Sequence, residues 1–168
     1  VTLVTAGGLA ATVWSLLPAL MEGERPGVSV TELLPGVEIA FRVEPLGMLF
    51  AALASGLWIV NSLYSIGYMR GNKEQHQTRF YVMFAVSLAA TMGVAFAGNL
   101  ITLFLFYEML TLSTYPLVAH KGDESTVRSA RVYLGILLTT SIGLFLPAVI
   151  WTYSVAGNGD FTPGGFLA

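Results

Sequence analysis

Long apolar runs, broken by short polar stretches, set the first reading of this 168-residue chain. A helix needs roughly 20 mostly apolar residues to cross about 30 Å of hydrocarbon. Five segments meet that length: residues 1–21, 45–68, 80–97, 99–118 and 132–155. The second opens on Pro45, which suits a first helical turn. The third ends at Gly98-Asn99, read as a tight-turn pair, and the fifth carries Pro147. None shows the apolar-out, polar-in alternation of a membrane β-strand. Backbone groups in lipid must be satisfied within the segment, which leaves helices. The pattern therefore predicts an all-α, polytopic transmembrane helix bundle of about five spans, forming one domain over residues 1–168.

Composition agrees with that picture. Hydrophobic residues make up 55% of the chain and charged residues 11%. A soluble domain carries about 25% charged residues, so the bilayer is the expected solvent. There are no cysteines, which rules out disulfides and thiolate metal sites. No phosphate-cradling glycine loop, paired catalytic carboxylates or metal-ligand spacing is present. No self-contained active site and no cofactor are expected. The first residue, Val1, falls inside an apolar run, and the last lies just after a loop-like stretch over 157–165; this reads as a piece of a longer polypeptide.

Charge then supplies an orientation. Arg70, Lys73, Arg79, Lys121, Arg128 and Arg131 are six of the eight basic residues, and all lie in two loops, 69–79 and 119–131. The segment 22–44 instead carries five glutamates against Arg25 and Arg42. Counting Lys and Arg alone places the two basic loops in the cytoplasm, in what is expected to be a prokaryotic inner (plasma) membrane. Topology accounts for these basic residues without nucleic acid. Aromatic residues near helix ends, such as Tyr64, Tyr68, Tyr133 and Trp151, fit an interfacial belt or interhelical packing.

One carboxylate interrupts the apolar spans. Glu108 sits about ten residues from each end of its helix, near the bilayer midplane at 1.5 Å per residue. A charge there costs upward of about 2.5–3.5 kcal/mol. It is therefore protonated, paired or wet. Thr111 and Tyr115, three and seven residues on, share its face. Thr102, Ser113, Thr114, Thr139, Thr140 and Ser141 add hydroxyls nearby, suited to a proton relay or to ordinary interhelical hydrogen bonds. Pro116 and Pro147 would free the carbonyls of Leu112 and Gly143. His76 and His120, at the cytoplasmic edge, are either proton collectors or solvated loop positions. Glu108, Thr111, Tyr115 and His120 form the candidate proton path. The alternative is a structural subunit in which a neutral Glu108 clasps two helices. A haem- or quinone-holding subunit ranks last, since neither histidine lies in mid-helix.

The run NLITLFLFYEMLTLSTYPL at 99–117 resembles the antiporter-like membrane subunits: the proton-channel subunits of respiratory complex I, and the D-type members of the Mrp Na⁺/H⁺ antiporters. Their segment reads N-L-x-x-L-F-x-x-(W/Y)-E-x-(L/M)-(S/T)-L. The preceding YSIGYM at 64–69 is similar to the family's Y-S-x-x-Y-M. The match runs over about residues 40–160. The resemblance implies that these helices correspond to the second to sixth of about fourteen. Glu108 then aligns with a glutamate that in relatives pairs with a lysine on the next, broken helix. That lysine and the rest of the relay would lie beyond Ala168. Protons and possibly Na⁺, the lipid bilayer and other membrane subunits are the implied partners. Tyr107 stands where complex I relatives usually carry Trp, and Tyr115-Pro116 leans toward the Mrp-type or hydrogenase-linked branch.

Overall fold

The computed structural model describes residues 2–162 and 165. Its helices are α1 (Thr2–Ser15), α2 (Leu17–Met21), α3 (Pro45–Gly71), α4 (Gln77–Ala95), α5 (Leu100–Val118), α6 (Glu124–Thr140) and α7 (Leu146–Ala156), with a π-helical turn at Ser141–Phe145. Five helical stretches are long and apolar enough to cross a membrane: Thr2–Met21, Pro45–Gly71, Gln77–Ala95, Leu100–Val118 and Glu124–Ala156. The chain is an integral membrane helix bundle. Large apolar side chains such as Leu46, Leu57, Leu144 and Trp151 stand exposed along the spans, as expected where lipid is the solvent. Tyr64, Tyr68 and Tyr133 are exposed too, which favours the interfacial belt over interhelical packing for these three.

Sequential helices pack side by side, α3 on α1 and α4, and α5 on α4 and α6. Close approach depends on small residues. A Cβ on Gly47 would lie 2.0 Å from the Ala95 carbonyl oxygen, so α3 meets the end of α4 backbone to backbone. Val13, Val43, Met48, Ala51 and Met92 form the buried cluster that joins α1, α3 and α4.

The structure departs from the sequence reading in three places. The acidic segment 22–44 is not a plain loop: β1 (Gly27–Leu34) and β2 (Val37–Arg42) form an antiparallel hairpin. In VEIAFR the large apolar residues Val37, Ile39 and Phe41 alternate with Glu38, Ala40 and Arg42, and Pro35-Gly36 supplies the turn. A window set to the length of a membrane span averages that signal away. The last span begins at Glu124, eight residues before the apolar run. Its first two turns are polar, and Asp123 caps them by accepting from the Thr126 N–H. Hydrogen bonds from Ser125, then Thr126, hold the Asp123 carboxyl well below the usual carboxylate range. This cap strengthens above the unfolded-state carboxylate pKa and is lost as pH falls through the lower, folded value.

Gly98-Asn99, finally, is not a free turn. Asn99 is extended, 1% exposed, and is the N-cap of α5, accepting from the Thr102 N–H at 2.9 Å. Its Nδ2 donates to the Glu38 carbonyl at 2.9 Å, and the Thr102 hydroxyl accepts from the Ala40 N–H at 3.0 Å. One side chain thus starts α5 and pins the hairpin over it. Losing the cap alone costs about 0.5–2 kcal/mol, and losing the bond to the Glu38 carbonyl adds about 0.5–1.5 kcal/mol. Asn99→Ala, which loses both bonds, and Asn99→Asp, which keeps the cap but sets a buried carboxylate against the Glu38 carbonyl, are therefore both expected to lower the unfolding temperature in detergent.

Candidate functional site

Helix α5 sits between two neighbours. Toward α4, the Ser113 hydroxyl lies 2.8 Å from that of Ser87, both buried, and also donates to the Leu110 carbonyl at 2.9 Å. Phe106 lies against Gly93, whose missing Cβ would fall 2.0 Å from the ring. On the other side, Phe104 and Tyr107 meet Phe145 edge to face, with centroids 5.6 and 5.9 Å away. Ser113 thus belongs to the α4 interface, as an ordinary interhelical bond, and Thr114 bonds back to the Thr111 carbonyl at 2.8 Å. Thr140 likewise bonds back to Ile136.

Glu108 lies eight residues from Leu100 and ten from Val118, about 12 and 15 Å along the helix from its two ends. At 100° per residue, Thr111 and Tyr115 fall on its side of α5, the side of Phe104 and Tyr107. Thr111 is 5% exposed, while Glu108 and Tyr115 are half-buried. The next stripe round the helix is Leu105, Met109 and Leu112. It is open, Met109 being 39% and Leu112 52% exposed. Glu108 therefore stands at the boundary between the packed α6 side and an uncovered flank. Its Oε1 is buried and, among the described residues, has no hydrogen-bond partner. Neither Thr111 nor Tyr115 bonds it, although they share its face.

His120 is not part of this group. It lies beyond the end of α5, more than two turns from Glu108, with its ring edge-on to Phe80 at 5.4 Å. Its carbonyl accepts from Arg79 at 3.0 Å, and its Nδ1 is buried without a partner among the described residues. His76 is exposed and left-handed at the start of α4, with φ 56°. Two further buried groups without partners among the described residues, Trp58 Nε1 and Ser62 Oγ, lie one turn apart in mid-α3; nothing in their residue types singles them out. Nor does any sequence signal mark Phe145, which the π turn brings against α5. Pro147, expected to kink its helix, stands in the first turn of α7 directly after that π turn.

Comparison with known proteins places this arrangement. The family described as "NADH:quinone oxidoreductase/Mrp antiporter, TM" matches residues 97–163, which include Glu108 and the π turn. The family described as "NADH-Ubiquinone oxidoreductase (complex I), chain 5 N-terminus" matches residues 35–81. NADH-quinone oxidoreductase subunit N of Desulforudis audaxviator is 28% identical over 150 residues, 89% of this chain and 30% of that protein. Na(+)/H(+) antiporter subunit A1 of Staphylococcus aureus is 34% identical over 114 residues, 66% of this chain and 14% of that protein. The chain spans less than a third of the length of these relatives. In fold it is similar to a chain of the Mrp complex from Dietzia sp. DQ12-45-1b, with a TM-score of 0.75, 20% identity and 95% of this chain covered against 30% of the other. It is equally similar to a chain of the membrane-bound sulfane sulfur reductase, an archaeal respiratory membrane complex, at 19% identity, a TM-score of 0.75, and 95% and 24% coverage. The chain belongs to the antiporter-like family of membrane subunits shared by NADH:quinone oxidoreductases and Mrp antiporters.

Proposed function

We propose that this chain supplies part of the ion path of a proton-translocating, or cation/proton antiporting, membrane subunit, and that Glu108 is the ionisable carboxylate of that path. The observation that carries the reading is the buried, unpartnered Oε1 of Glu108 in mid-helix, beside an uncovered flank. A carboxylate kept there needs a cation, a proton or water. The flank formed by Leu105, Met109 and Leu112 is where a further helix would bring one. The family resemblance implies a lysine in that role. An opposite charge at about 4–6 Å shifts a pKa by one to three units. A Glu108–lysine pair that tightens and loosens would thus hold the lysine's proton more and less strongly in turn.

The relatives' names include complex I-type and Mrp-type proteins, so the driving reaction and the ion, H⁺ alone or H⁺ against Na⁺, divide between those two branches. The matched antiporter relatives are named subunit A1; assignment to the D-type members of the Mrp antiporters rests on the sequence motifs alone. The polypeptide would work among other membrane subunits, in a prokaryotic inner membrane, with 69–79 and 119–131 on the cytoplasmic side. Of the candidate residues, Thr111 and Tyr115 would line the path beside Glu108, and His120 would serve as its cytoplasmic approach.

A structural role with Glu108 as a neutral clasp is the second reading. It predicts a hydroxyl or carbonyl partner for Glu108 within the bundle, and the described residues hold none. Proton and sodium fluxes in sealed vesicles carrying the complete complex test the functional class. Driven flux of either ion is expected, and a fully assembled complex that moves neither would overturn the proposal.

A further inference from the structure

The last span is broken at the level where it meets the residue preceding Glu108. Ser141–Phe145 form a single π turn between α6 and α7, and the Leu146 N–H reaches back five residues to the Ser141 carbonyl. Such turns hold one residue more than the helix around them and occur frequently at functional sites. Here the extra residue aims Phe145 at α5. Its ring meets Phe104 at 71° and Tyr107 at 88°, both edge to face. Tyr107 adjoins Glu108 in sequence, and Phe104 lies one turn before it on the same side. A groove of about 420 Å³ runs alongside, lined by Tyr107, Thr140, Ser141, Leu144 and Phe145.

We propose that this π turn is a register switch and that Phe145 is a positioning residue, closing the α6 side of Glu108 in one register and opening it in the other. The proposal rests on the reading of Glu108 as the path's carboxylate. Conversion to a continuous α-helix would rotate the chain beyond the turn by about 100° and slide it by about 1.5 Å. Phe145 would then leave the notch between Phe104 and Tyr107. The vacated notch would join the groove and uncover the α6 side of Glu108.

Two features keep the registers close in energy. Pro147 has no N–H, so the bond it would donate is absent from both the π and the α ladder. The Thr140 and Ser141 hydroxyls bond back to the Ile136 and Leu138 carbonyls, at 2.8 and 3.3 Å, upstream of the turn, and neither bond is broken by the rotation. The aromatic edge contacts of Phe145 hold the closed register, and the free groove receives what moves.

The test uses the complete complex in sealed vesicles, with four variants beside the wild type. Deleting Gly143 removes the extra residue and fixes the α register. Phe145→Leu keeps an apolar side chain but removes both ring contacts, Phe145→Tyr keeps them, and Glu108→Gln reports on the underlying reading. Driven proton flux is expected to fall about tenfold for Phe145→Leu, the scale of the two lost aromatic contacts, with passive leak rising. Phe145→Tyr should restore both. The Gly143 deletion should stop driven flux while the complex still assembles. If it does not assemble, Phe145→Leu against Phe145→Tyr decides, and equal driven flux and leak in those two overturns the switch. Wild-type flux from the deletion and from Phe145→Leu, with Glu108→Gln inactive, overturns the switch alone. Wild-type flux from Glu108→Gln removes the reading beneath it.

Discussion

Glu108→Gln is expected to abolish driven ion transport while the complex assembles normally. Gln has nearly the same volume and can still hydrogen-bond, so packing around α5 should survive. What it lacks is charge. If Glu108 holds a neighbouring cation, its removal shifts that group by one to three pKa units, so its ratio of protonated to unprotonated form falls about 10- to 1,000-fold at a fixed pH. Glu108→Asp keeps the charge but withdraws it by one methylene, and should retain part of the flux. Glu108→Leu removes charge and polarity together, so its loss of transport would not by itself separate the two readings. Native gels with flux measurements on the same membranes check all three. A neutral clasp predicts the reverse for Gln: wild-type transport, because the hydrogen bond persists.

Gly47→Ala should be the most damaging single methyl group in the bundle. Its Cβ would fall 2.0 Å from the Ala95 oxygen and 3.1 Å from the Ala95 carbonyl carbon. Both are backbone atoms, so no rotamer change relieves the clash, and α3 and α4 must part. The separation would open the cluster of Val43, Met48, Ala51 and Met92 directly beneath. Overpacking costs about 1–3 kcal/mol, and the top of that range or more is expected where backbone must move. Gly56→Ala lies in the same helix with nothing within 4 Å of its Cβ, so it should be neutral or stabilise slightly through helix propensity. Unfolding temperatures of the two variants in detergent make the comparison. Equal temperatures would show that the α3–α4 approach is looser than the structure has it.

The membrane class and its five spans are legible in the sequence because lipid imposes a length and an apolarity that few other contexts require. Glu108 is legible for the same reason, as the lone carboxylate in 19 residues of α5. Other features are hidden by the same averaging. The hairpin at Gly27–Arg42 alternates over six to eight residues, too short to register beside runs of twenty. The polar first turns of α6 look like a loop to any hydropathy window, although Asp123-Glu124-Ser125-Thr126 is a good helix start. Asn99 reads as a turn residue because Glu38, the partner that ties it to the hairpin, comes to it only in three dimensions. The π turn has no composition of its own: SIGLF is as apolar as its neighbours, and only Pro147 marks the region. His120 shares a titratable chemistry with Glu108 but not a place, since the geometry leaves it more than two turns away.

Whether Glu108 changes protonation during turnover is most directly measured by infrared difference spectroscopy of the working complex in its membrane. Driven and resting states would be compared in the wild type and in Glu108→Gln. A carboxylic acid carbonyl band that differs between the two states in the wild type and is missing from Glu108→Gln is the predicted result. Identical difference spectra from the two proteins, with transport running in both, would contradict it and leave Glu108 as a hydrogen-bonding group of the bundle.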